Sequence, residues 1–285
     1  MLNTTRTSLS NPFPALFVDA PWLEQHLHDP ALRILQIGGE NYYPQFHIPG
    51  AHLVSYRDLV TTRDAVPGMR AETGALCTLF GQAGITLDTP VLAYDVGGGM
   101  DAARAVWTLA SLGHTALAIL EGSFGIWYRE NRPMQSDRPS VQVSHFQPSP
   151  NPAWEATAED VLEATRAERG VLLLDTRTPQ EYQGLTAREP RGHMAGALPF
   201  HWVDALRDGN DPRLLATDTL RAAFAERGLL EPQQEVIVYC ETGHRASHTW
   251  LLLQQLGFSR ARLYDGSMAE WRVLGYPVVA GMCPR

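Results

Sequence analysis

Short apolar runs alternate along the chain with longer stretches in which apolar residues recur every three or four positions. In the first half the runs Ala15–Val18, Ile34–Ile37, Val91–Tyr94 and Ala116–Leu120 predict strands. The segments Pro21–His28, Thr73–Ala83 and Ala102–Leu112 predict helices. In the second half Thr157 is placed to cap a helix running to about Arg169, and the strand Val171–Asp175 follows. Val236–Tyr239 predicts a buried strand, and a helix from about Ala246 closes at Gly257. Strands and helices alternating at these lengths predict an α/β fold, each domain a mainly parallel sheet flanked by helices. Between the halves, Pro133, Pro139, Pro148, Pro150 and Pro152 stand in a span of little periodicity, which predicts a linker.

The two halves carry the same landmarks in the same order. Tyr94-Asp95 returns as Tyr239-Cys240 at an offset of 145, and Leu112-Gly113 as Leu256-Gly257 at 144. Gly122-Ser123 with Trp127 returns as Gly266-Ser267 with Trp271, again at 144. His47-Ile48-Pro49-Gly50-Ala51 is echoed by Gly192-His193-Met194-Ala195-Gly196-Ala197. A domain-sized period predicts a tandem duplication rather than a solenoid. The expected domains are residues 1–140 and 153–285.

The copies part company at one position. Where the second has Cys240, the first has Asp95, so the two cannot share a thiol chemistry. Cys240 ends a strand, and Glu241-Thr242-Gly243-His244-Arg245 leads into a helix. A helix N-terminus offers unpaired N–H groups and a partial positive charge, a setting that favours an anion. The thiolate is the nucleophilic form of cysteine, so Cys240 is the candidate nucleophile. Burial as a small hydrophobe is the plain alternative for a cysteine at a strand end. The polar residues that follow it weigh against that alternative.

Composition narrows the rest. With 44% hydrophobic and 19% charged residues the chain is of ordinary globular character. A net charge of −8 argues against a general nucleic-acid surface, so any anion site is local. No apolar run approaches a membrane span. No secretory signal is expected in the polar stretch Met1 to Asn11, and the wide spacing of Cys77, Cys240 and Cys283 predicts neither a disulfide framework nor a metal-binding pair; a cytoplasmic setting is expected. No metal or cofactor is expected.

Asp175, Arg177, Glu181 and Tyr182, followed by Gly192-His193 to Gly196-Ala197, resemble the first signature of rhodanese domains. The strand-Cys-x-x-Gly-x-Arg loop, then Leu256-Gly257-Phe258 and Asp265-Gly266-Ser267 to Trp271, resembles the second. The resemblance spans almost the whole chain, twice. It implies a tandem thiosulfate sulfurtransferase whose second domain alone is active, the first having lost its cysteine to Asp95. It further implies that Cys240 takes the outer sulfur of thiosulfate as a persulfide and passes it to cyanide or a thiol acceptor. The partners are then a small anionic sulfur donor and that acceptor, with no nucleic acid and no membrane.

On this reading the amides of the Cys240 loop form a nest for an anion, and Arg245 binds sulfonate oxygens bidentately. Glu241, Thr242, Gly243, His244 and Arg245 are the candidate binding residues, with Arg188 and Arg191 as secondary candidates. Glu241 is expected to point to solvent, away from the anion. Asp175 and Arg177 are expected to pair structurally, and His193 to fix a turn. Phosphatase relatives of the fold carry a loop one residue longer, so phosphatase activity is not expected. Gly97-Gly98-Gly99-Met100-Asp101-Ala102 formally matches a dinucleotide fingerprint, but Asp95 and Asp101 would flank a phosphate with negative charge. 3-Mercaptopyruvate as donor, or sulfur relay between proteins, are the nearer alternatives.

Overall fold

The computed structural model describes residues 11–166, 170–187 and 191–284. It divides into two compact units. The first holds the chain up to Thr61, Arg70–Asn151 and Arg207–Leu214; the second holds Thr62–Met69, Pro152–Leu206 and the chain from Leu215.

The chain begins with β1 (Phe17–Val18), α1 (Ala20–His26), β2 (Arg33–Ile37), β3 (Ala51–Val54), β4 (Val60–Arg63) and β5 (Val66–Arg70). It continues with α2 (Thr73–Gln82), β6 (Val91–Tyr94), α3 (Met100–Ser111), β7 (Leu117–Leu120) and α4 (Ser123–Arg129). The main sheet has the order β1-β7-β6-β2-β3 with every pair parallel, while β4 and β5 form a separate ribbon. After Asn151 come β8 (Glu155–Ala156), α5 (Ala158–Thr165), β9 (Leu172–Asp175), α6 (Pro179–Gln183) and β10 (Leu198–Pro199). Then follow α7 (Thr217–Ala225), β11 (Val236–Tyr239), α8 (His244–Gln255), β12 (Ala261–Tyr264) and α9 (Ser267–Val273). Their sheet, β10-β9-β11-β12-β8, is parallel throughout and repeats the topology of the first.

The duplication extends to side chains. In the first unit the Tyr43 ring stacks on His47, its hydroxyl donates to the Ala51 carbonyl at 2.6 Å, and the Ile48 amide donates to the Tyr94 hydroxyl. In the second, Tyr182 stacks on His193 and donates to Ala197 at 2.8 Å, and the Met194 amide donates to Tyr239. Trp127 and Trp271 each close a helix end by donating to a proline carbonyl, of Pro133 and Pro277. Each sheet buries its own apolar core, around Leu92, Tyr94 and Trp127 in one and Ile237, Tyr239 and Trp271 in the other.

The proline-rich span departs from a free linker. It is irregular, as a run of prolines dictates, but it is fastened to the first unit. The Ser144 amide donates to Gly81, that of Ser149 to Leu112 and that of Asn151 to Ser111, while Phe146 is buried edge-on against Phe80. Gly113, at φ +93, permits the approach: a Cβ there would lie 2.0 Å from the Ser149 carbonyl oxygen.

In both sheets the strand order reverses at the second strand, between β2 and β6 and between β9 and β11. Parallel α/β sheets bind ligands outside the carboxyl ends of their strands at this switch point. The loops that follow β6 and β11 are therefore the places to look. They begin with Asp95 and Cys240.

Candidate active site

Cys240 leaves β11 buried, with 1% of its surface exposed. The loop turns through Gly243, whose φ of +74 caps α8 in the left-handed region that glycine enters without strain. Two loop amides, of Cys240 and Gly243, donate to the hydroxyl of Ser267 at 3.1 and 3.0 Å; that hydroxyl donates in turn to the Tyr264 carbonyl at 2.8 Å. The first turn of α9 returns the contact, since the amides of Met268 and Ala269 donate to the carbonyls of Cys240 and Glu241. Helix-start amides that would lack partners thus brace the loop from below. Ser267 itself sits at φ +51, which a serine adopts at some cost. In the sequence it appears as a landmark of the repeat and within the second rhodanese signature, with nothing there to show that it would hold the Cys240 loop.

Arg245 is placed differently from expectation. Its guanidinium fork is taken by Glu181, with Nη1 to Oε2 at 2.7 Å and Nη2 to Oε1 at 2.9 Å. Glu181 is fixed in turn by the capping box of α6: the Thr178 amide and hydroxyl donate to its Oε2 at 3.0 and 2.8 Å, and its own amide donates back to Thr178 Oγ1. Partial burial works against ionisation of Glu181, but the hydrogen bonds and charge of Arg245, joined by Thr178, outweigh it and hold the carboxyl at about 2. For Arg245 burial likewise opposes the charge, and Glu181 together with the nearby Cys240 more than restores it.

Glu241 does not point to solvent. Its side chain is 14% exposed and pairs with both terminal nitrogens of Arg272. The guanidinium of Arg272, on α9, thereby offsets the charge of Glu241 beside Cys240. Thr242 and His244 are half-buried on the rim. Arg191 is exposed, its backbone packed against Gly184 at the end of α6; Arg188 lies outside the described residues. Asp175 and Arg177 form a buried pair at 2.6 Å, and Arg177 also donates to the Gly192 carbonyl, so this pair ties the end of β9 to the Gly192–Ala197 turn. His193 holds that turn through the Tyr182 carbonyl at 2.8 Å.

The corresponding loop of the first unit shows what this geometry favours. The Asp95 carboxylate folds back into its own loop, where Oδ1 accepts from the amides of Gly97 and Gly99, both at 2.9 Å, and Oδ2 from that of Ala102 at 3.1 Å. Ser123, the counterpart of Ser267, adds its hydroxyl at 2.6 Å. Main-chain amides at the start of α3 therefore gather round an anion, as a nest does. The dinucleotide alternative fails here, because the amides it needs for a pyrophosphate are occupied by Asp95.

Among the described residues no three His, Cys, Asp or Glu side chains are grouped to hold a metal ion, and no helix is long and apolar enough to cross a membrane. The chain is similar over nearly its full length to characterised proteins. It is 30% identical to the sulfur carrier protein TtuD of Thermus thermophilus, over 94% of this chain and 98% of that protein. It is 31% identical to a thiosulfate sulfurtransferase of Corynebacterium glutamicum, over 95% of each. The crystal structure of the 3-mercaptopyruvate sulfotransferase SseA of Escherichia coli superposes with a TM-score of 0.79 at 28% identity, over 89% of this chain and 98% of that one. The rhodanese-like domain model matches twice, at residues 19–130 and 157–273. With both matches centred on the two sheets and their switch-point loops, the chain belongs to the rhodanese-like family.

Proposed function

We propose that the second unit transfers sulfane sulfur through Cys240, with thiosulfate as donor. The thiolate attacks the outer sulfur of thiosulfate, a new S–S bond forms, and the old one breaks with its electron pair leaving on sulfite. The persulfide so formed gives its terminal sulfur to cyanide, yielding thiocyanate, or to a thiol acceptor, and the Cys240 thiolate returns. The observation that carries this reading is the Asp95 loop: in the same fold, at the same strand end, main-chain amides converge on an anion. Cys240 stands at that same strand end, where an anionic persulfide would meet the start of α8 rather than open apolar core. The first unit is then catalytically silent because Asp95 both lacks a thiol and fills the nest.

The names of the relatives divide between thiosulfate, 3-mercaptopyruvate and sulfur carriage, and the donor is decided by kinetics. The protein is expected to show a higher kcat/KM with thiosulfate than with 3-mercaptopyruvate. Mass spectrometry should find one added sulfur on the peptide containing residue 240, and none in Cys240→Ala. Sulfur transfer by Cys240→Ala at the rate of the unchanged protein would remove Cys240 from the mechanism. A higher kcat/KM with 3-mercaptopyruvate would replace the donor while keeping the nucleophile.

A further inference from the structure

Three arginines around the Cys240 loop are each paired with a carboxylate. Arg245 is held by Glu181, Arg272 by Glu241 and Arg177 by Asp175. His201, whose charge-bearing neighbours are Asp204, Arg245 and Glu181, is kept towards its neutral form by burial. An arginine beside the nucleophile would ordinarily be the group that grips an anionic donor, but a guanidinium fork engaged edge-on by one carboxylate cannot present that same edge to a sulfonate. Glu181 is also no loose competitor: Thr178 clamps the oxygen that faces Arg245 Nη1.

Resting on the sulfurtransferase reading above, we infer that Glu181 is a specificity-determining residue, which by occupying the Arg245 fork lowers the advantage that a doubly charged sulfur donor has over a singly charged one. Coulomb energy is linear in ligand charge. Removing one negative charge from the site therefore acts on a dianion with twice the exponent that it has for a monoanion. If Glu181→Gln improves kcat/KM about 3-fold for a monoanion, it improves it about 10-fold for thiosulfate.

The experiment compares persulfide formation from thiosulfate, a dianion, with that from methanethiosulfonate, a monoanion that releases methanesulfinate by the same S–S cleavage. Both donors are assayed on one preparation of each variant, so the ratio of the two kcat/KM values is independent of the folded fraction. In Glu181→Gln the ratio should rise about 3-fold in favour of thiosulfate. In Glu181→Asp, which keeps the charge, it should stay near its original value even if both rates fall. In the double variant Glu181→Gln/Arg245→Gln both charges are gone and the site is as neutral as before, so the ratio should return to within about 2-fold of the original. A ratio unmoved in Glu181→Gln overturns the inference, as does a double variant whose thiosulfate preference collapses, since Arg245 would then be gripping the donor despite Glu181. A parent protein that forms no persulfide at residue 240 from either donor overturns the sulfurtransferase reading itself, a result distinct from both.

Discussion

Ser123 donates its hydroxyl hydrogen to the Asp95 carboxylate at 2.6 Å, whereas its counterpart Ser267 accepts the amide hydrogens of Cys240 and Gly243. Both hydroxyls donate, Ser123 to Asp95 and Ser267 to the Tyr264 carbonyl, but in the second unit the same oxygen also accepts two loop amides. In the first unit the loop already contains its anion, and the hydroxyl completes the shell around it. In the second the carboxylate of the loop, Glu241, is turned to Arg272, and the Ser267 hydroxyl steadies the backbone beside the sulfur.

Asp95 is on this account a structural anion, and its loss should cost stability without touching sulfur transfer. Asp95→Ala leaves the amides of Gly97, Gly99 and Ala102 without their carboxylate acceptor, and is expected to destabilise the protein by about 2–4 kcal/mol. Asp95→Asn keeps one acceptor oxygen and should cost less. Urea midpoints measure the first effect, and kcat/KM with thiosulfate at low temperature measures the second. A fall in kcat/KM larger than the loss of folded protein accounts for would assign Asp95 a part in the reaction.

Ser267 should show the reverse pattern. Ser267→Ala strands two amides of the Cys240 loop, and kcat/KM is expected to fall about 10- to 100-fold, with a stability loss of about 1–3 kcal/mol. Ser267→Gly relieves the positive φ and should recover part of the stability while leaving the rate low. If the glycine variant recovers the rate as well, strain and not the hydroxyl governs the loop.

Much of this was legible before the fold was known. The strand Val236–Tyr239 ends where its β-branched run ends, and Asp95 against Cys240 marked the loops at the carboxyl ends of β6 and β11 as the place where the two copies differ. The elements missed are those whose signal is tertiary. The edge strands Glu155–Ala156 and Leu198–Pro199 are two residues long and exist only because a neighbour pairs with them. The strand Val66–Arg70 contains Pro67 and Gly68, which oppose a strand reading. The helix predicted from Ala102 starts at Met100, since Gly99 at φ +100 supplies the cap that propensity does not show. At the site, Glu241 and Arg245 were read as side chains facing solvent and substrate. Their partners, Arg272 and Glu181, are 31 and 64 residues away in sequence, and no local pattern reveals an ion pair at that distance.

His114, just past α3, gives the stability of the first unit a defined pH dependence. The residue is fully buried, and burial pushes its imidazole from 6.5 down to about 4, against smaller upward contributions from Thr89, Thr86 and Asp88. A group whose folded value lies below its unfolded one binds its proton first in the unfolded chain, so stability is retained above 6.5 and drains away as pH falls toward 4. Between pH 7 and pH 5 the loss from this residue should be about 2 kcal/mol. His114→Gln cannot take up the proton and should flatten that part of the profile, whatever its stability at pH 7. Urea midpoints of the two proteins across this range provide the measurement. Parallel profiles would mean that His114 titrates alike in the folded and unfolded chain, and that the buried imidazole is reached by water.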